Sequence, residues 1–190
     1  MSKTVVNSWN DFDSLRHVIV GRADFTCIPP TEPATEAKIP EDSDMRGLWG
    51  PRPLHTVEVA NRQLDTLTQG LEAKGVRVDR PTPIQWNQAV TTPDFMTRTM
   101  FGCMPPRDVL LTVGKEILSA PMSFRCRFWE YLAYHSLMQK YFDEDTEFRW
   151  EQAPRPRLAD EAYKAGYFEE ITIEERLERT ANLDFVTTEH

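Results

Sequence analysis

The sequence predicts an α/β protein assembled from repeated strand, helix, strand units. Three observations carry this. A β-branched run at residues 15–20 stops at Gly21; an amphipathic helix at about 56–74 leads straight into a short apolar strand; and the same order returns between residues 99 and 150, where a tight hairpin precedes a second helix.

Each element has a local reason. Residues 15–20 are β-branched and apolar, the pattern of a largely buried strand. From Asp24 to Pro53 the chain is rich in proline and charge and keeps no period, so it reads as a long loop. Val57, Ala60, Leu64, Leu67 and Leu71 then recur at steps of three and four, one apolar stripe on a helix with Thr56 as N-cap and Gly75 as its stop. Val76 to Asp79 follows as a strand. Thr99 to Met104 reads as another, and residues 109–113 and 116–120 flank Gly114-Lys115 as a two-residue hairpin with glycine at the first central position of a type II′ turn. The second helix runs from about Phe124 to Phe142, with Phe128, Tyr131, Leu132, His135, Met138 and Phe142 on its packed face. Phe148 to Trp150 closes the unit as a strand. A charged, partly helical excursion over 155–182 is anchored by Ile171, Ile173 and Leu177, and Leu183 opens a further strand that runs almost to His190. Tandem units of this kind point to a repeat architecture in which neighbours bury one another's faces.

Composition bounds the function. With 190 residues, 40% hydrophobic and 27% charged, the chain falls in the globular range. A net charge of -8 without clustered Lys and Arg argues against a nucleic-acid partner. No apolar run is long enough to span a bilayer, and the first residues lack the order of a secretion signal, so a soluble cytoplasmic protein is expected. Cys27, Cys103 and Cys126 are odd in number and widely spaced, which disfavours a disulfide framework and a zinc site.

The residues able to do chemistry are few. Cys103 and Cys126 fall on a predicted strand and helix and read as buried inert thiols, whereas Cys27 lies in the proline-rich loop, where exposure is open to it but a loop thiol is not by itself a nucleophile. His17 and His135 read as structural, His55 as solvent-facing, and His190 is terminal. Taken by itself, Asp108 reads as a strand-capping residue or a partner of Arg107.

Three stretches change that balance: SWNDFDSLRHVIVG at 8–21, MPPRDVLLTVGKEILSAPMSFRCRFWEY at 104–131 and FVTTE at 185–189. They closely resemble the amidinotransferase family, in order and over essentially the whole chain. The 104–130 block resembles amidinotransferases rather than the related deiminases. The resemblance implies a pentein-type α/β propeller built of ββαβ modules, here incomplete: module 1 at about 1–82, module 2 at about 83–154, and a connecting excursion with the start of module 3 at about 155–190. Such an incomplete propeller is expected to leave apolar faces and strand edges bare.

The resemblance also implies the reaction. A Cys thiolate attacks the guanidinium carbon of L-arginine, ornithine leaves, and an acceptor amine takes the amidino group. The acceptor is glycine or a biosynthetic intermediate, guanidine-toxin pathways of the saxitoxin or cylindrospermopsin type included. In the family one guanidinium-holding carboxylate lies in a Pro-Arg-Asp corner, and the match here falls on Asp108. Arg125 and Arg127 are expected to tie the hairpin to acidic neighbours, with direct substrate contact as the alternative. The family's catalytic Asp follows the FVTTE strand and its His and Cys come later still, so this chain is expected to lack all three, to be a fragment and to be inactive alone. The alternatives are a shortened, catalytically dead binding protein or, third, a deiminase-type hydrolase. No cofactor or metal is implied, and a homodimer and small-molecule substrates are the expected partners.

Overall fold

A computed structural model describes residues 4–36, 42–44, 46–163, 172, 174 and 175. The β-branched run forms β1 (His17–Ile19). The proline-rich segment carries more regular structure than its composition implies: β2 (Cys27–Ile28), one turn of helix α1 (Pro33–Glu36), and β3 (Gly50–Pro51), which pairs antiparallel with β2. Helix α2 (Leu54–Glu72) starts two residues before the expected cap. Thr56 is inside it, donating its hydroxyl to Pro53 O at 2.7 Å, while Pro53 occupies the cap position. The predicted stripe is the helix's inner side, but it is only half-buried, and Leu67 is exposed. Gly75, at φ +79°, follows the helix as expected, and β4 (Arg77–Asp79) runs parallel to β1 with His17 opposite Arg77.

A short hairpin of β5 (Val90–Thr91) and β6 (Met96–Thr97) precedes the stretch 99–104, which is not the expected strand. Its backbone groups pair with the backbone of three separate neighbours: Met100 N–H donates to Trp86 O at 2.8 Å, Phe101 O accepts Cys27 N–H at 2.8 Å, and Cys103 O accepts Arg22 N–H at 3.4 Å. One turn of helix, α3 (Pro106–Val109), leads into β7 (Leu110–Val113) and β8 (Glu116–Ser119). Val113 stands opposite Glu116, leaving Gly114-Lys115 as the two-residue turn, and Gly114 has the positive φ (+59°) that a primed turn needs at its first central position.

The second helix departs most from its sequence pattern. Residues 125–127 and 130–134 form two 3₁₀ turns, and only then does α4 (His135–Glu144) begin. Arg125 and Cys126, both buried, stand in the first of these turns, and Glu130, Ala133 and Tyr134 in the second. The change of winding also shifts the buried face to Ala133, Tyr134, Leu137, Met138 and Tyr141, and leaves His135, Leu132 and Phe142 exposed. The strand β9 (Arg149–Gln152) then pairs parallel with β8, completing a sheet of order β7-β8-β9 in which α4 makes the crossover.

The core gathers Val109, Leu110, Ile117, Tyr134, Met138, Tyr141 and Phe148 from this unit with Cys27, Trp86, Met100 and Cys103 from earlier in the chain. Asp79 ties the first unit to α4. Its Oδ2 lies 2.7 Å from His17 Nε2 and accepts the Tyr141 hydroxyl at 3.0 Å, and its Oδ1 accepts Lys140 at 3.0 Å. Burial favours the neutral acid, but these bonds, from His17 first, and the charge of Arg77 outweigh it and hold the carboxyl far below the usual range. On the outer edge Leu111 and Val113 of β7 are exposed, and the described residues form no closed ring of strands. The anchors expected at Ile171, Ile173 and Leu177 and the strand from Leu183 lie outside the described residues.

Gly21 joins the two units by close approach. A Cβ there would lie 1.9 Å from Met104 O and 2.6 Å from Cys103 O, both backbone atoms that no rotamer change can move. Gly21→Ala is therefore expected to lower the urea midpoint by the equivalent of about 1–3 kcal/mol or more. By contrast Gly70→Ala, in α2 with open space around it, should raise stability by about 0.5–1 kcal/mol. A Gly21→Ala protein with the wild-type midpoint would contradict this packing.

Candidate active site

Asp108 is set by a backbone with little freedom. Pro106 opens α3 with its φ fixed and no N–H to leave unpaired, Asp108 N–H donates to Pro105 O at 3.2 Å, and Leu110 N–H returns to Pro106 O. The next residue, Val109, is buried, and its carbonyl accepts Ala120 N–H at 2.8 Å from the far strand of the hairpin. The carboxylate thus leaves the chain where a helical turn becomes a strand, with the core fixed behind it.

The side-chain partner of Asp108 is not its neighbour in sequence. Arg107 is 93% exposed and its Nε stands 3.9 Å from Oδ1, too long for a hydrogen bond. The partner is Arg127, whose Nη2 donates to Asp108 Oδ2 at 3.1 Å. Arg127 also grips Glu130 with two bonds, Nε to Oε1 at 2.9 Å and Nη2 to Oε2 at 2.8 Å, and its guanidinium lies over the Phe101 ring at 5.3 Å. Glu130 is fully buried and Asp108 36% exposed, so the network runs from interior to surface through one arginine. Asp108 Oδ1 accepts no hydrogen bond from any described residue.

The electrostatics follow from that gradient. Burial pushes the Glu130 carboxyl up to about 7, against the pull of Arg127. Burial opposes the charge of Arg127 too, but the carboxylates beside it prevail and raise its pKa. The Tyr134 hydroxyl donates to Cys103 O at 3.1 Å, and the Cys103 thiol donates to Arg22 O at 3.5 Å.

The two arginines flanking Cys126 diverge. Arg127 serves the Asp108 corner. Arg125 sends Nε to Leu158 O at 2.9 Å and Nη2 to Asp160 at 2.7 Å, between the rings of Phe95 and Tyr163, while its backbone N–H donates to Glu32 Oε2 at 3.1 Å. Glu32 also accepts the Cys126 thiol at 3.4 Å, and burial raises its carboxyl to about 7. The expected tie between these arginines and acidic groups is present for both, and nothing in the sequence marked Glu32 as a partner, 93 residues away from Arg125.

None of the three thiols is poised to attack. Cys27 is buried rather than exposed on its loop, because the β2–β3 pairing folds that loop onto the core. Burial raises the pKa of all three, that of Cys103 to about 12 and that of Cys126 well above its ordinary value. Of the histidines, His17 is the structural partner of Asp79, His55 is exposed as expected, and His135 is exposed, with its ring centroid 5.8 Å from that of Trp150. His190 lies outside the described residues. Among the described residues no group of His, Cys, Asp and Glu could hold a metal ion, and no helix is long and apolar enough to cross a membrane. What the corner can do is accept a hydrogen bond from a cation at Asp108 Oδ1.

No protein-family model matches the chain. Related proteins are nonetheless clear. The mitochondrial glycine amidinotransferase of Gallus gallus is 38% identical over 192 residues, covering 97% of this chain and 43% of the relative. The L-arginine:L-lysine amidinotransferase of Pseudomonas savastanoi pv. phaseolicola is 36% identical, covering 87% of this chain and 46% of the relative. Two solved structures superpose on it. An amidinotransferase of the saxitoxin biosynthetic pathway from Microseira wollei does so with a TM-score of 0.78 and 34% identity, over 85% of this chain and 47% of that one. The inosamine-phosphate amidinotransferase of Streptomyces griseus does so with a TM-score of 0.76 and 35% identity, over 85% and 46%.

The class defined here is thus a mixed α/β protein with the fold of amidinotransferases. The chain belongs to the amidinotransferase family and spans less than half the length of the relatives it matches.

The burial of Cys27, Cys103 and Cys126 makes a direct prediction. The native protein should show no rapidly reacting thiol with an aromatic disulfide reagent, and all three should react once it is unfolded in urea. Fast native modification of any one of them would contradict the packing described.

Proposed function

We propose that this chain forms the arginine-holding part of an amidinotransferase, which moves the amidino group of L-arginine to an acceptor amine through an amidino-cysteine intermediate. The observation that supports it is that Asp108 Oδ1 accepts no hydrogen bond from the described residues, in a corner similar to the one that holds the guanidinium in this family. A guanidinium is planar, always charged and rich in N–H donors, so an ionised carboxylate fixed in direction is the acceptor it fits best.

The proposed chemistry has two displacements. A thiolate attacks the guanidinium carbon, and the amine of ornithine leaves with a proton from a general acid. The acceptor amine then attacks the same carbon, loses a proton and displaces the thiolate. No cysteine of this chain is exposed to supply that thiolate. This favours a Cys, His and Asp contributed by polypeptide outside residues 1–190, with the units built on β1-α2-β4 and β7-β8-α4-β9 as modules 1–82 and 83–154 of a pentein propeller and a third beginning in 155–190. The acceptor is an amino acid or a biosynthetic amine; the relatives' names include glycine and lysine and a saxitoxin pathway. The enzyme is proposed to work in the cytoplasm, as a homodimer and without a cofactor. The buried thiols equally favour a chain that binds arginine without turning it over, and the assay below separates the two.

The full natural chain, given L-arginine with glycine or L-lysine, should release ornithine. Asp108→Asn, which removes one charge-assisted bond, should lower kcat/KM for arginine by roughly 10- to 150-fold. Unchanged kcat/KM in Asp108→Asn would overturn the role of Asp108. The 190-residue polypeptide alone should release none, and steady turnover by it would overturn the split of the site.

A further inference from the structure

Arg127 is shared unequally. Two of its three side-chain hydrogen bonds go to buried Glu130 and one to Asp108, whose second oxygen accepts none from the described residues. One positive charge therefore stands between two carboxylates, and the state of the inner one decides how much of that charge the outer one feels. We propose that Arg127 and Glu130 are positioning residues that set both the direction and the charge of Asp108: ionised Glu130 holds Arg127 and leaves Asp108 available to a guanidinium, whereas neutral Glu130 releases Arg127 to Asp108. The inference rests on the guanidinium-holding role of Asp108 proposed above.

Geometry supports the direction. A side-on pair of bonds to Glu130 fixes the plane of the Arg127 guanidinium, and Phe101 covers one face of it. That fixed plane presents the second N–H of Nη2 to Asp108 Oδ2, while Oδ1 accepts no hydrogen bond from the described residues and has Arg107 Nε 3.9 Å away. The neighbouring titratable groups support the charge argument. Those that face Glu130 are Arg127 and Asp108, the thiols of Cys103 and Cys126, and the hydroxyl of Tyr134. Burial keeps both thiols and the Tyr134 hydroxyl neutral through physiological pH, and Arg127 stays charged. Glu130 itself, raised by burial to about 7, is then the member of this set that changes state near neutrality. Above that pH Glu130 neutralises Arg127 and Asp108 keeps its full charge for substrate. Below it the Arg127–Asp108 pair is neutral overall and attracts a guanidinium less.

The test measures the dissociation constant of L-arginine by calorimetry on the full natural chain between pH 6 and 8, with L-ornithine as the ligand that lacks the guanidinium. Wild type should bind arginine about tenfold less tightly at pH 6 than at pH 8, with little change for ornithine. Glu130→Gln should bind arginine about tenfold less tightly at pH 8 and show a flat profile, because Arg127 is then always free to turn to Asp108. Glu32 is unaltered in that variant and would keep any pH dependence of its own. As a second variant that leaves no buried charge unpaired, Arg127→Met/Glu130→Leu replaces the ion pair by apolar groups of similar size, an exchange that buried pairs often tolerate. It should melt cooperatively, bind arginine at least tenfold less tightly and lose the pH dependence. A folded double variant with wild-type affinity and profile would overturn the inference, as would a flat wild-type profile. If Asp108→Asn also leaves arginine binding intact, or wild type does not bind arginine, it is the proposed role of Asp108 that has failed, and this inference with it.

Discussion

The guanidinium of Arg127 is the point on which the corner depends. It carries the only positive charge hydrogen-bonded to either Glu130 or Asp108 among the described residues, and removing it would leave a fully buried carboxylate without a counter-charge. Such a group costs several kcal/mol in a protein interior. In the two 3₁₀ turns Arg125, Cys126 and Glu130 are buried, and Arg127 reaches from between them to Asp108 of α3.

The rest of the fold holds that corner still. Gly21 lets the end of β1 press directly on the backbone of Cys103 and Met104, so the first unit braces the strand-like approach to Pro105. Asp79 ties β4 to α4 through Tyr141 and Lys140, and the β7–β8 hairpin fixes the far side of Val109. A carboxylate that must meet a planar cation at a set angle gains from this more than from mobility.

Much of this was legible in the sequence, and the failures are instructive. The hairpin at Gly114 and the α2 stripe are local patterns, and local patterns survive tertiary context. The face of the second helix does not follow its pattern, because residues 125–127 and 130–134 wind as 3₁₀ turns and break the regular period. The stretch 99–104 looks like a strand by composition but spends its hydrogen bonds on three neighbours far apart in sequence. In the site, Asp108 was found through resemblance alone. Its true partner was nearly visible: Arg127 and Glu130 stand at i and i+3, a spacing that pairs side chains on one face, but nothing local connects either of them to Asp108. The burial of Cys27 has no local signal, because a two-residue strand pairing, too short to mark the sequence, holds its loop inward.

The central claim is that Asp108, held by Arg127 through one oxygen, offers the other to a substrate guanidinium. A crystal structure of the natural chain soaked with L-arginine tests it most directly. The account predicts a guanidinium N–H within hydrogen-bond distance of Asp108 Oδ1, with the Arg127 bond to Oδ2 and both bonds to Glu130 still in place. An arginine whose guanidinium is held elsewhere, or an Asp108 turned away from Arg127 in the complex, would contradict it.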